Sequence, residues 1–290
     1  MKPLADNDPS KGGETRGADV APGRAKDAAA SARGESSAAR GETAAPLVRA
    51  EGIFKVHEHD GVKTAILRGV TFHVGAPEFV CIMGPSGSGK STLLHLLSGL
   101  DQPSAGKIHV RGRDLAMLSE EARTLERRTS IGYVFQFFNL LPNLTVLENV
   151  GLPLAIAGGK PEAREGELLA LLDRLGIASK ARSFPHQLSG GEMQRTSIAR
   201  ALAGGQPLLL CDEPTGNLSQ KAGMEVMQIL RRLVDEDRRS VLLVTHNPRD
   251  AAFADRVLFL VDGELAKETE LRGPNLRVED VHAALSALHI

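Results

Sequence analysis

Large apolar side chains are spread unevenly along the chain, and their spacing divides it into stretches of different texture. Residues 1 to about 46 are Ala, Gly, Ser, Arg and Glu with almost no large apolar residue. Such a segment cannot bury enough surface to offset the entropy lost on ordering, so it reads as a disordered N-terminal tail. From Leu47 the pattern becomes dense. Strand-like stretches around Leu47–Val56 and Ala65–Val74 precede short runs of Val, Leu and Ile at Phe79–Met83, Ile131–Phe135, Leu208–Cys211, Val241–Thr245 and Val257–Val261. Short runs without polar alternation predict parallel strands buried on both faces. Asp262-Gly263, just after the last run, is a hairpin signal.

Between Phe137 and Gln187 the texture becomes helical. Thr145-Val146-Leu147-Glu148 has the form of a capping box, and Pro161 suits a first helical turn. Leu168, Leu169, Leu171, Leu172 and Leu175 follow, with Gly176 placed as a C-cap. This predicts a small helical subdomain, about residues 137–200, inserted into an α/β core. Val278–Leu288 predicts one amphipathic helix in a C-terminal extension over 268–290.

Composition narrows the picture without redirecting it. A charged fraction of 24% against 42% apolar residues suits a globular protein, and a formal charge of -1 gives no overall pull toward nucleic acid or an anionic membrane. The tail's basic residues (Lys2, Lys11, Arg16, Arg24, Lys26, Arg33, Arg40) are matched by Asp6, Asp8, Glu14, Asp19, Asp27, Glu35 and Glu42, which argues against a basic membrane anchor. No run of about 18 apolar residues occurs, and no apolar core of a signal peptide stands at the N-terminus. A cytoplasmic chain is expected. Cys81 and Cys211 lie inside apolar strands and read as small hydrophobes rather than a disulfide or metal site.

The chemistry begins where the run Phe79–Met83 enters Gly84-Pro85-Ser86-Gly87-Ser88-Gly89-Lys90-Ser91, followed by Thr92 and a helix expected over Ser91–Ser98. This is the phosphate-loop pattern in its confirming context, between a strand and a helix. Glycines let successive N–H groups turn toward phosphate oxygens, and the helix N-terminus adds positive potential. Lys90 would reach the β- and γ-phosphates of ATP, and Ser91 would ligate Mg2+. Further on, Leu208–Cys211 delivers Asp212-Glu213 to a strand end, where α/β sheets bind ligands. Asp212 suits the metal. Glu213 suits the role of polarising the attacking water, because a general base must not be neutralised by the cation. A strand ending in Asp-Glu is weak evidence alone; Pro214-Thr215-Gly216-Asn217-Leu218 after it strengthens the reading.

Between these two motifs stands Leu188-Ser189-Gly190-Gly191-Glu192-Met193-Gln194-Arg195. Ser189-x-x-Glu192 ahead of a helix expected over Met193–Ala203 is a capping box, and two glycines at a helix start expose amides to an anion. One compact site would hardly need a second phosphate cradle roughly 100 residues from the first. The run resembles the signature sequence of ATP-binding cassette ATPases, in which this segment closes over the γ-phosphate held by the opposite subunit. The resemblance covers about residues 47–267.

It implies an α/β fold: a phosphate-loop (P-loop, RecA-like) NTPase core with an N-terminal antiparallel β subdomain and an inserted helical signature subdomain. Ser189, Gly190 and Gly191 would act in trans within a homodimer. Gln136, after Ile131–Phe135, and His246, after Val241–Thr245, match in order and spacing the family's Q-loop and switch histidine, although a lone Gln or His is ordinarily a turn or structural residue. Gln136 would touch Mg2+ or the attacking water, and His246 the γ-phosphate. His57 stands where the family's adenine-stacking tyrosine is expected, and Ser219 where a D-loop aspartate is usual.

Tyr133, Phe135, Phe137 and Phe138 crowd one short span. In the family this stretch borders the groove that receives a helix of the membrane subunit, although core packing accounts equally for Tyr133 and Phe135. The wording of Ser86–Asp101, Phe135–Pro142 and Asp212–Leu218 is similar to the branch of lipoprotein-releasing (LolD-type), macrolide-export (MacB-type) and cell-division (FtsE-type) ATPases. The resemblance implies an ATPase subunit on the cytoplasmic face of the inner membrane. It would power a separate permease for lipoprotein release or export of a hydrophobic, macrolide-like substrate, contacting neither cargo nor nucleic acid. The alternative is an FtsE-like mechanotransmitter that moves no substrate.

Overall fold

The computed structural model describes residues 45–59, 61–273 and 276–290, so the tail expected over 1–46 lies almost wholly outside the described residues. Strands β1 (Val48–His59) and β2 (Val62–Val74) form an antiparallel hairpin running from Val48 opposite Val74 to His59 opposite Val62. Strand β3 (Phe79–Met83) leads through the phosphate loop into helix α1 (Lys90–Leu97), which ends at Gly99 with φ 69°. β4 (Ala105–Val110) and β5 (Arg113–Asp114) then complete a four-stranded sheet of order β2-β1-β4-β5. No apolar run announces β4. Only Ile108 and Val110 face the core, two residues apart as a half-exposed strand requires.

Helix α2 (Glu120–Ser130), capped by the Ser119 hydroxyl, leads into β6 (Ile131–Val134). The inserted region holds α3 (Val146–Ile156), α4 (Glu165–Arg174) and α5 (Gly190–Leu202). Thr145 and Glu148 close both halves of the capping box of α3, and Pro161 opens a 3-10 turn that runs into α4. α5 starts at Gly190, not Met193: the Ser189 hydroxyl accepts the Glu192 N–H, which draws both glycines into the first turn. β7 (Leu208–Asp212), α6 (Gln220–Asp235), β8 (Ser240–Thr245), one-turn α7 (Pro248–Ala251) and β9 (Arg256–Val261) follow. Asp262 and Gly263, at φ 48° and 81°, turn the chain into β10 (Glu264–Leu265). Beyond it, the C-terminal segment adds β11 (Leu271–Arg272) as well as helix α8 (Val278–Ala287).

The large sheet has the order β10-β9-β3-β8-β7-β6, parallel from β9 to β6, with β10 and β11 antiparallel on β9. β3 is central, and every residue in it is buried. Alternate side chains feed two cores, as the two-residue period of a strand demands. Phe79, Cys81 and Met83 join Leu209, Leu243 and Phe259 under α3 to α6 and α8, whereas Val80 and Ile82 join Leu210, Leu242 and Leu260 under α1 and the antiparallel sheet. Each such apolar side chain contributes about 1.5–3 kcal/mol relative to exposure. Cys81 and Cys211 are free and fully buried, and burial pushes both thiols well above their ordinary range.

Candidate active site

The phosphate loop leaves the centre of the sheet at Gly84, where a Cβ would stand 2.1 Å from the Leu260 carbonyl oxygen, so no larger residue fits. Gly87 and Gly89 take φ 83° and 101°, a left-handed conformation that swings neighbouring N–H groups into a common concavity. Gly89 caps α1 and touches β2: a Cβ there would lie 2.7 Å from Leu67 Cδ2. Lys90 is 7% exposed, and its Nζ donates to the carbonyl oxygens of Gly84 and Pro85, each at 2.9 Å. Burial holds its ammonium below the ordinary value of 10.5, with Glu213 and Asp212 acting in opposition. The Ser88 hydroxyl is buried without a protein partner, as an anion-facing donor in this loop would be. Ser86 and Thr92 flank this cradle, Ser86 exposed and Thr92 half-buried on α1.

Ser91 Oγ donates to Asp212 Oδ1 at 2.9 Å, although they are 121 residues apart in sequence. Burial raises the Asp212 carboxyl above its ordinary value of 3.8. A hydroxyl and a carboxylate brought together at the end of the phosphate loop are the oxygen donors that would hold Mg2+. Gln136 lies differently from expectation in one detail: β6 ends at Val134, so Gln136 stands two residues beyond the strand. Its carbonyl accepts from Asn217 Nδ2 at 3.0 Å, and its Nε2 lies 3.6 Å from where a Gly216 Cβ would be. Among the described residues its hydrogen bonding joins it to the segment after Glu213 rather than to Ser91 or Asp212.

Glu213 sits one residue past β7 at φ 46°, a left-handed conformation unusual for a residue with a side chain. Its N–H donates to Val244 O at 3.0 Å, which fixes the turn to β8. Its carboxylate oxygens lie 2.9 and 2.7 Å from His246 Nδ1. With Nδ1 donating to Glu213, Nε2 is left for a ligand. The adjoining segment is held by a pair that no motif announced: Asp250, on α7, accepts the Thr215 hydroxyl. Burial raises the Asp250 carboxyl, and nearby Glu213 adds to the rise. Asn149 was equally silent in the sequence. Fully buried inside α3, it accepts the Leu141 N–H at 2.8 Å and donates to the Leu141, Leu144 and Thr145 carbonyls, shaping the loop after Gln136.

At the signature run, Glu192 Oε2 accepts from both N–H and hydroxyl of Ser189, at 2.8 and 2.9 Å. Gly191 packs where its Cβ would stand 3.1 Å from Ala222 Cβ, and Gly190 where its Cβ would be 3.2 Å from Leu218. The start of α5 is thus seated on the start of α6. Ser219 caps α6, its hydroxyl accepting the Ala222 N–H at 3.4 Å. The residue in the D-loop position keeps the helix start and lacks only the charge. His57 is exposed on β1, opposite Thr64.

Tyr133 packs against Phe135 with the rings tilted by 38° and centroids 4.4 Å apart, while Phe137 is 67% exposed. Beside Tyr133, between α2 and the inserted helices, lies a groove of about 430 Å³. Leu125, Tyr133 and Leu154 give it apolar walls; Arg127, Arg128, Arg164 and Arg200 also line it, and no carboxylate does.

A central strand that ends in a glycine-built phosphate cradle, faced by a strand-end carboxylate pair, defines a phosphate-loop nucleoside triphosphatase. The family model described as ABC transporter matches residues 67–216. The chain is 43% identical over 220 residues to the lipoprotein-releasing system ATP-binding protein LolD 2 of Caulobacter vibrioides, covering 76% of this chain and 96% of that one. It is 42% identical over 232 residues to the pyoverdine export ATP-binding/permease protein PvdT of Pseudomonas entomophila, covering 80% of this chain. The chain spans only 35% of the length of that protein. A solved dimer of the ATP-binding cassette MJ0796, in a post-hydrolysis state bound to ADP and Pi, superposes with a TM-score of 0.72 at 38% identity. That match covers 79% of this chain and all of the other, 100%. The chain belongs to the ABC transporter family, as one of its ATP-binding cassettes.

Proposed function

We propose that this chain hydrolyses ATP in a homodimer and so drives a separate membrane-embedded partner, in lipoprotein release or in export of a hydrophobic substrate. The observation that carries the reading is the convergence on one phosphate loop of two pairs, Ser91 with Asp212 and Glu213 with His246. Lys90, drawn away from water, offers its charge to the β- and γ-phosphates, and the Ser88 hydroxyl and loop amides orient them. Ser91 and Asp212, together with Gln136, would hold Mg2+, which neutralises phosphate charge. Glu213, held by His246 rather than by the cation, polarises the attacking water. His246 turns its other ring nitrogen to the γ-phosphate. Ser189 and the first-turn amides of Gly190 and Gly191 bind the γ-phosphate of the opposite subunit, and closing around ATP sets the cycle.

The dimer is supported by the dimeric relative, and the export reading by the names of the lipoprotein-releasing and pyoverdine-exporting relatives. No helix among the described residues is long and apolar enough to cross a membrane, so the partner would supply the spanning segments. The arginine-lined groove beside Tyr133 is the surface proposed to receive it, with the chain peripheral on the cytoplasmic face of the membrane. Measuring phosphate release by the purified full chain with ATP and Mg2+ tests the core of the reading. Turnover that Glu213→Gln leaves unchanged would remove Glu213 from the mechanism. Failure of a detergent-solubilised membrane protein to co-purify with the chain, when expressed with its neighbouring genes, would count against the transport reading.

A further inference from the structure

Helix α7 follows His246 almost directly, and its four residues are too few to hold a helical conformation alone. Packing on two sides must supply its order. On one side Asp250, 5% exposed, accepts the Thr215 hydroxyl and ties α7 to the turn that carries Glu213. On the other, Ala251 has no exposed surface and shares an apolar cluster with Val281 and Ala284, the buried face of α8, which packs against α7. The chain over 270–273 is itself anchored to the sheet. Leu271 pairs with Val257, the Gly273 N–H donates to Asp255 O at 3.1 Å, and buried Arg256 lies 3.5 Å from Glu270.

We propose that α8 is a positioning element for the Glu213–His246 pair, with Val281 and Ala284 wedging α7 so that the histidine meets the carboxylate. This rests on the reading of that pair as hydrolytic and adds a control point to it. The two-sided sheet separates the effect from nucleotide binding. Val281 and Ala284 belong to the core on the α6 side, whereas the phosphate loop and α1 are seated on the opposite core, against Leu67 and Leu260. Lifting α8 therefore lowers turnover and leaves the phosphate cradle in place.

The test uses the full chain carrying Val281→Asn, with Val281→Ala as a milder form and Val281→Ile as the conservative control. Val281→Asn is expected to lower kcat by about tenfold or more through misplacement of the pair, with KM for ATP held within about twofold. Amide hydrogen exchange over 246–251 rises while that over 84–97 does not. Val281→Ala follows with a smaller drop, and Val281→Ile keeps wild-type turnover. Unchanged exchange over 246–251, or faster exchange with unchanged kcat, overturns the proposal. A wild-type chain that neither binds nor hydrolyses ATP would instead overturn the ATPase reading, and the exchange data would still judge whether α8 holds α7.

Discussion

His246 Nδ1 stands 2.7 Å from Glu213 Oε2 and 2.9 Å from Oε1, joining the ends of two neighbouring parallel strands, 33 residues apart in sequence. The contact gives the carboxylate a fixed orientation. Glu213→Gln keeps the shape and loses the base, so single-turnover hydrolysis should fall by about 100-fold or more while ATP binding persists. Gel filtration with ATP should then show an accumulated dimer. His246→Ala should slow turnover by a comparable order through loss of orientation; full activity in that variant would make the contact incidental.

Ser189 and Lys90 are expected to serve different copies of the composite site. Ser189→Arg and Lys90→Ala should each be inactive alone, yet mixing them should restore activity. Random pairing places both lesions in one site of a mixed dimer and leaves its other site intact, for roughly a quarter of wild-type turnover if the sites are independent. No recovery on mixing would mean that the signature serves its own chain's phosphate loop.

How much of this could be read from the sequence depended on whether an element announces itself locally. The phosphate loop, Asp212-Glu213 and both capping boxes did, because glycine conformation, strand burial and caps are set within a few residues. β4 did not, since a half-exposed strand needs only Ile108 and Val110. α2 and α6 also lay outside the expected set. The Thr215–Asp250 contact could not be read at all: Thr215 lies in the motif after Glu213, but its partner is 35 residues further on and belongs to no motif. Asn149 hid for a different reason, since a buried polar residue inside a helix has the same spelling as an exposed one.

Ser219 caps α6 with a hydroxyl where an aspartate is usual, and both residue types cap well. Ser219→Asp should therefore leave stability within about 0.5 kcal/mol, while Ser219→Ala should cost about 1 kcal/mol in urea denaturation. The added carboxylate should alter the Hill coefficient for ATP more than the affinity. Identical coefficients would show the position to be a cap and nothing more.

Asp250 sets a pH dependence of opposite sign to that of a salt-bridged acid. Burial raises its native value above the ordinary 3.8, so between the two values the unfolded chain has released a proton that the native chain retains. Its contribution to stability is thus highest below 3.8, falls as pH rises through that window and is level above it. Asp250→Asn can still accept the Thr215 hydroxyl and has no proton to lose. The difference in urea midpoint, variant minus wild type, should grow with pH across the window and then stay flat; a constant difference would remove Asp250 from the pH response.

The burial of Cys81 and Cys211 in the two strands that end at the site has an experimental consequence. They are the chain's only cysteines, and both are withdrawn from solvent. The native surface therefore offers no thiol to a maleimide or an oxidant. A cysteine introduced at a position outside the site, such as exposed Met117, would be a unique handle in an otherwise unmodified background. Spin labels or cross-linkers attached there could follow two copies approaching and parting through a turnover cycle, with no prior stripping of native residues.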